Sequence, residues 1–415
     1  MICLTCDMQI NLSVLQEFYA VNYKGNNIMK VKFGVVGLGN MGSYHCTAIE
    51  ELPNAELTAV CDIDPGAFGR IPPALLAKVQ RFDNAAELCS KADVDVIVVA
   101  VPHYSHPDIA INAMECGKHV IVEKPIAVHK AEAERLLATA AKFPNLIKSA
   151  MFNQRTCPEH RKIKDLIDKG ALGKINRVNW IITNWFRTQC YYDSGDWRAS
   201  WRGEGGGVLL NQCPHQLDLM QWFFGMPSKV MAHVHFGKYH DIEVEDEVTA
   251  YLEYPNGATG CFITTTGEAP GTNRLEIAAE KGRLVFENNK ILFTRNEEEV
   301  SEFIRTSDLA YSGPAVWNCE IPVGQVEPVQ HKAVLANVAN VIQGKEEKLI
   351  APLEEGIRGL ELGNAMMLSG WLNEMVSLPV DGKVYAEKLA ALAATSRYQC
   401  KKRTKLTGHD FGSSF

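Results

Sequence analysis

The sequence predicts a parallel, doubly wound α/β domain followed by an α+β domain built on a large, mostly antiparallel open sheet. Three observations carry this. Short apolar strands alternate with helical patterns from residue 31 to residue 150. Longer β-rich runs joined by tight turns follow them. The chain has 415 residues, 46% of them hydrophobic and 22% charged, which supplies two full-sized cores without disulfide or metal staples.

In the first domain the strands are Val31–Val36, Ala55–Cys61, Val94–Val101, His119–Glu123 and Leu146–Phe152. Helical patterns at Met41–Glu51, Ala85–Ser90, Pro107–Cys116 and Lys130–Lys142 separate them. Apolar strands linked by helices belong to a parallel sheet covered on both faces by right-handed crossovers. A helix over Pro158–Lys169, closed by Gly170, opens the second domain. Its strands are Ile175–Phe186, Lys229–Phe236, Glu247–Tyr254, Ala258–Thr265, Arg274–Ala279, Arg283–Phe286 and Lys290–Thr294. Pro255-Asn256-Gly257 makes one hairpin turn, because Asn and Gly tolerate positive φ. Pro328 to Leu378 reads as helical and ends at Pro379.

The expected organisation is therefore a peripheral N-terminal extension over residues 1–28, a doubly wound α/β domain over 29–150, an α+β domain over 151–385, and a C-terminal helix and tail over 386–415. Met29 runs directly into the first strand and reads as an alternative initiator to Met1, a choice the sequence leaves open. The formal net charge is −7, from 42 basic and 49 acidic residues with no dominant basic block, which argues against a nucleic-acid partner. No apolar run reaches the ~18–20 residues of a membrane span, and no secretory signal pattern precedes the first strand, so a cytoplasmic protein is expected. The twelve cysteines are scattered. The one close pair, Cys3 and Cys6, lacks the further ligands a metal site needs, so reduced thiols and no metal are expected.

Gly37-Leu38-Gly39-Asn40-Met41-Gly42 is a G-x-G-x-x-G placed directly after a strand and opening a helix. There, Gly37 permits the tight turn, Gly39 lets the backbone approach a pyrophosphate, and Gly42 lets helix and strand pack closely, in the Rossmann arrangement. The helix N-terminus offers unpaired N–H groups to the phosphates. Asp62, followed by Ile63, ends the second strand 20 residues past Gly42, where an acid holds the adenosine ribose hydroxyls. A carboxylate there repels a 2′-phosphate, so NAD is expected over NADP. As a strand-end residue Asp62 also reads as a simple cap.

The fourth strand ends in Glu123-Lys124-Pro125, at the carboxyl edge of the sheet where open α/β proteins bind ligands. With this tripeptide go Val101-Pro102-His103-Tyr104-Ser105-His106-Pro107, the triplet Gly205-Gly206-Gly207 leading through Asn211 to His215, and the apolar helix Glu354–Met375. In this order, over residues 31–380, the motifs resemble those of the Gfo/Idh/MocA oxidoreductases. The resemblance implies NAD(P)-linked oxidation or reduction of a secondary hydroxyl on a sugar, glycoside or cyclitol, with Lys124 between nicotinamide and substrate, a cis Lys124–Pro125 bond and His215 as a catalytic partner. It also implies a homodimer or homotetramer. The chemistry is coherent: hydride leaves a carbon as its hydroxyl loses a proton, so a base must reach that oxygen. Asn211 departs from the aspartate of many family members; it carries no charge for His215 and is expected to hold a substrate hydroxyl instead.

Further cofactor contacts implied by the resemblance are Pro102, His103, His106, Glu123, Asn153, Trp201 and Arg202, each of which also reads as an interdomain contact. Arg155 is an expected substrate contact. The loop from Arg187 to Arg202 concentrates Tyr191, Tyr192, Asp193, Asp196, Trp197 and Arg198. Aromatic faces stack on sugar rings while Asp and Arg bind hydroxyls, so Tyr192, Trp197 and Arg198 are expected at an uncharged glycoside or polyol. Two alternatives stay open: a redox-neutral glycoside-cleaving or isomerising enzyme that recycles NAD, and a non-catalytic dinucleotide- or sugar-binding sensor.

Overall fold

The computed structural model describes residues 29–195, 197–325 and 327–397; the N-terminal extension, Cys3, Cys6, Asp196 and the last part of the C-terminal tail lie outside the described residues. The first sheet comprises β1 (Val31–Val36), β2 (Ala55–Cys61), β3 (Gln80–Phe82), β4 (Val96–Val99), β5 (His119–Val122) and β6 (Lys148–Ala150). All its pairings are parallel, in the order β3-β2-β1-β4-β5-β6. This is the doubly wound order whose switch point, between β1 and β4, opens the ligand crevice. β4 is buried along its whole length, as a strand covered on both faces must be. β3 escapes sequence detection because Gln80-Arg81-Phe82 is a three-residue edge with no apolar run.

The second sheet has nine strands: β7 (Ile175–Ile182), β8 (Lys229–Phe236), β9 (Glu245–Glu253), β10 (Thr259–Thr265), β11 (Asn273–Ala279), β12 (Gly282–Glu287), β13 (Lys290–Asn296), β14 (Val316–Ile321) and β15 (Val376–Ser377). Its order is β14-β13-β12-β11-β7-β10-β9-β8-β15. Only the β10–β7 pairing is parallel. One face packs on the helices Pro214–Phe224 and Gly356–Leu372, and the alternation of buried and half-exposed residues along β9 and β10 follows from that one-sided cover. The strand expected over Ile175–Phe186 stops at Ile182, because the Thr183 hydroxyl donates to Glu268 and accepts from the Thr272 backbone N–H.

The expected domain boundaries need two corrections. The helical stretch from Pro328 is two helices, Gln330–Ile342 and Gly356–Leu372. The first ends before Gly344 at φ +69° and packs on the first sheet, not the second: Val334, Leu335, Val338 and Ala339 share a core with Val31, Phe33 and Val35. The last helix begins at Gly382 rather than 386, and it lies so close to Lys130–Ala140 that a Cβ on Gly382 would meet the Ala131 nitrogen at 2.9 Å. Both excursions return the chain to the dinucleotide domain, so residues 151–385 do not form a self-contained unit. Among the described residues no helix is long and apolar enough to cross a membrane, and no group of three His, Cys, Asp or Glu gathers as a metal site.

Candidate active site

The glycine turn has the shape its spacing requires. Gly37 sits at φ +91°, and a Cβ there would lie 2.5 Å from the Ala100 carbonyl oxygen. A Cβ on Gly42 would lie 1.7 Å from the Gly37 oxygen, whereas one on Gly39 would meet nothing within 4 Å. The outer bend is thus open to an incoming group while the inner two glycines close the turn. The helix Asn40–Glu50 starts at Gly39 with no side-chain cap and no acid in its first turn, leaving its N–H groups available to phosphate. Asp62 Oδ2 accepts from Leu38 N at 2.6 Å and Oδ1 from Asp64 N at 2.8 Å, which stations the carboxylate at the mouth of the turn. Arg70 Nη1 donates to the Leu38 oxygen at 3.1 Å from the same side. Leu38 is buried, Met41 half-buried, and Asn40 and Ile63 exposed around it. These residues fit a dinucleotide.

The next segment, Glu123-Lys124-Pro125, crosses the carboxyl edge of β5 with a cis Lys124–Pro125 bond. Lys124 Nζ donates to the Asn211 carbonyl oxygen at 2.8 Å. Burial pushes its pKa down; Glu123 and Glu204 oppose this, and the positive charges of Arg198 and Arg187 add to it. Glu123 is buried against His45 Nε2 at 2.7 Å and accepts from the Lys124 backbone N–H at 3.1 Å. Burial favours its neutral form, but the hydrogen bond with His45 and the positive charge of Lys124 hold it at about 2. It remains an anion beside Lys124.

Asn211 lies in a wide helical turn, Val208–Gln212, that runs into the helix Pro214–Phe224 carrying His215. The glycine triplet before it is packed against β9: a Cβ on Gly207 would lie 2.0 Å from the Glu245 carbonyl oxygen. The Glu245 carboxylate accepts from Gly207 N at 2.8 Å and Leu209 N at 3.0 Å, while burial lifts its pKa to about 7. His215 is 4% exposed, and neither ring nitrogen has a hydrogen-bond partner among the described residues. Burial, with Lys124 and His331 adding positive charge, drives its pKa well below 6.5, so it is a neutral imidazole. The Asn211 amide does not reach it; its nitrogen donates to Glu204 and to the Tyr191 hydroxyl at 3.4 Å.

The loop between β7 and the glycine triplet closes over these groups. Tyr191 OH meets Arg198 Nη1 at 2.6 Å and Gln212 Nε2 at 3.1 Å. Trp197 sets its ring edge-on to His103 at 5.2 Å. His103 Nδ1 lies 3.3 Å from the Glu204 carbonyl oxygen, and Pro102 beside it is exposed.

Several expected contacts have other work. Arg155 is 1% exposed and gives Nε and Nη2 to Asp218 at 2.7 and 2.6 Å and Nη1 to Glu355 at 2.5 Å, so its fork is spent inside the protein. Tyr192 is 1% exposed with its hydroxyl 2.8 Å from Thr266 Oγ1; its neighbour Tyr191 is the one that faces the cleft. His106 has both ring nitrogens 2.7 Å from backbone carbonyls, those of Pro125 and Val101, and braces the lysine segment. Trp201 is packed edge-on against Phe236 and Trp371. Arg202 binds the carbonyls of Ala393 and Ser396 at the end of the last helix. The Asn153 amide donates to Gln330 at 2.5 Å beside His331, which ties the second domain's entry to the returning helix.

Glu204, His45 and His331 were missed. Glu204 directly precedes the glycine triplet and was findable as an acid inside a motif. His45 and His331 meet with ring centres 5.5 Å apart across almost 290 residues of chain, and no local pattern links them.

Residues 31–150 match the family profile described as an oxidoreductase family with an NAD-binding Rossmann fold, and residues 160–285 match the GFO/IDH/MocA C-terminal domain. The chain is 26% identical over 335 residues to levoglucosan dehydrogenase of Pseudarthrobacter phenanthrenivorans, spanning 69% of this chain and 82% of that protein. It is 25% identical over 346 residues to inositol 2-dehydrogenase of Rhizobium meliloti, spanning 81% and 92%. The structure of WlbA dehydrogenase from Bordetella pertussis in complex with NADH and UDP-GlcNAcA superposes with a TM-score of 0.70 at 27% identity, covering 85% of this chain and 100% of the other.

Proposed function

This chain belongs to the Gfo/Idh/MocA oxidoreductase family, and we propose that it is an NAD-dependent dehydrogenase that reversibly oxidises a secondary hydroxyl of a sugar, glycoside or cyclitol to a ketone. The observation that carries this reading is the convergence of Lys124 and His215: a half-buried amine from the end of β5, bonded to the Asn211 carbonyl, faces the segment that bears a neutral imidazole whose two nitrogens have no partner among the described residues. Two relatives are named as dehydrogenases of levoglucosan and of inositol, which supports the substrate class.

In this reading the turn Gly37–Gly42 and the N–H groups of the following helix bind the phosphates of NAD, and Asp62 accepts from its adenosine ribose. NAD, when bound, supplies the carbon that accepts hydride. Lys124, deprotonated more readily than a surface lysine, takes the hydroxyl proton on Nζ. His215 hydrogen-bonds the reacting oxygen as a neutral group and aligns it. Glu123 stays ionised and holds the Lys124 backbone in place. The test is absorbance of reduced nicotinamide on mixing the protein with NAD and a panel of sugars. Product formed without net reduced cofactor would favour the recycling alternative, and binding without either would favour the sensor.

Asp62→Ser is expected to lower the NAD-over-NADP ratio of kcat/KM by about 10-fold or more, since it removes a charge that repels the 2′-phosphate and leaves Arg70 beside the turn. An unchanged ratio would remove Asp62 from the ribose site. The outer face of the nine-stranded sheet aligns Met231, Tyr251 and Cys261 on adjacent strands, with Tyr251 43% exposed. Such a face supports a homodimer or homotetramer, which light scattering on a sizing column would measure. A cytoplasmic location agrees with this chemistry's need for the intracellular NAD pool and is tested by cell fractionation.

A further inference from the structure

Three aromatic rings and two guanidinium groups alternate along the loop that covers Lys124. Arg187 stacks on Trp185 with its Cζ 5.6 Å from the ring centre and on Tyr191 at 5.1 Å; Arg198 stacks on the same Tyr191 at 4.5 Å and on Trp197 at 4.4 Å. Stacking occupies the flat faces of a guanidinium and leaves its in-plane N–H edges to donate. Among the described residues each arginine commits one nitrogen to a hydrogen bond: Nη1 of Arg187 to the Phe186 carbonyl at 2.9 Å, and Nη1 of Arg198 to Tyr191 OH. The Arg187 backbone is pinned on both sides, its N–H to Thr266 and its carbonyl against His240 Nε2 at 2.8 Å. The remaining donors are held in place in advance.

Among the described residues the two guanidinium groups share a single carboxylate partner. Arg187 forms no ion pair with any described carboxylate, and Arg198 pairs with Glu204 at 3.9 Å, its one carboxylate partner among the described residues. The same Glu204 accepts from Ala199 N at 2.6 Å and from the Asn211 amide. Arg155 shows how this protein treats a purely structural buried arginine, with two carboxylates against one guanidinium. The contrast is chemical. Guanidinium donates and never accepts, so two of them with one described carboxylate between them present surplus donors and, at Arg187, a surplus positive charge beside the base. A neutral sugar hydroxyl would leave that charge uncompensated. A carboxylate or phosphate, acceptor-only and fork-shaped, would satisfy it.

We propose that Arg187 and Arg198 form an anion subsite, so that the substrate is an acidic sugar whose carboxylate or phosphate is gripped while its hydroxyl reaches Lys124. This rests on the dehydrogenase reading and narrows its substrate class from the uncharged polyol that loop composition led us to expect. The downward pressure on the Lys124 pKa from the same two arginines agrees with their facing the cleft.

The test compares D-glucuronate with D-glucose, D-galacturonate with D-galactose, and D-glucose 6-phosphate with both, in wild type and in Arg187→Gln. The wild type is expected to favour an acidic member of a matched pair by at least about 10-fold in kcat/KM, the factor that a single charged hydrogen bond supplies. R187Q is expected to cut that ratio about 10-fold, mainly through KM, with Arg187→Lys in between because it keeps the charge without the fork. Preference for uronate or for phosphate identifies the anion. Thermal shift of the NADH-loaded protein by the same compounds reads binding without turnover. If acidic sugars stabilise wild type more than R187Q but no sugar yields reduced cofactor, the dehydrogenase reading fails and the anion subsite stands. If neutral sugars are used or bound as well as their acidic counterparts, or R187Q leaves the ratio unchanged, the subsite is overturned.

Discussion

Replacing Lys124 with alanine is expected to lower kcat for sugar oxidation by about 10²- to 10⁴-fold, the usual contribution of a positioned base, while NADH still binds. The separation follows from the fold. The glycine turn lies between β1 and its helix and Asp62 at the end of β2, whereas Lys124 leaves β5 and meets Asn211 from the second domain. Removing the amine breaks one hydrogen bond at the cleft and no contact of the dinucleotide turn. Fluorescence titration with NADH and steady-state kinetics on the same sample check both halves, and near-wild-type turnover would refute the assignment.

The pH profile has a defined sign. Lys124 accepts a proton only when neutral, and its pKa is lowered from 10.5 chiefly by burial. The kcat/KM for oxidation should therefore rise with pH and level off above a value below 10.5. His215 is neutral already, its pKa pressed well below 6.5, so it adds no ionisation near neutrality. In Lys124→Ala the rising limb should disappear. A wild-type limb centred at or above 10.5 would contradict the burial argument.

The second large effect concerns stability. Arg155→Ala is expected to destabilise the protein by about 3–5 kcal/mol, the cost of leaving a buried charge without its partner. Asp218 is 0% exposed, and Arg155 supplies two of its hydrogen bonds. The same guanidinium reaches Glu355 and the Ile350 carbonyl, so it fastens the helix Pro214–Phe224 to the chain that returns toward the first domain. Burial raises the Asp218 pKa against the pull of Arg155, which makes protonation of Asp218 the route by which the variant partly recovers. A double variant, R155M/D218L, is expected to lose less than R155A alone because it buries no orphan charge. Urea unfolding measures both. A raised KM with unchanged stability would restore Arg155 to a substrate contact.

The two arginines show what a sequence conveys and what it does not. Arg155 follows β6 and Arg187 follows β7, each just past a strand end in aromatic company, and composition treats them alike. Their roles diverge through partners 63 and 200 residues away for Arg155, and through rings of its own loop for Arg187. Tyr191 and Tyr192 differ by one position, yet the short helical turn Gln189–Tyr192 sends one to the cleft and the other to Thr266. Choosing between neighbours requires the direction of the turn, which composition does not carry.

The sequence by itself determined the features whose cause is local. A strand, a glycine-spaced turn and a helix N-terminus make a dinucleotide cradle wherever they occur in that order, and the alternation of strands and helices dictates the doubly wound sheet. Lys124, Asp62 and His215 are legible as candidates because each sits at a fixed offset from such a motif. Tertiary structure alone decided which charges meet a partner: Glu123 a hydrogen bond with His45, Arg155 the carboxylates of Asp218 and Glu355, Arg198 that of Glu204, and Arg187 no described carboxylate. The physical reason is range. Backbone preference and periodicity act over a few residues, whereas the burial and pairing that set a side chain's charge state depend on whatever the finished fold brings beside it.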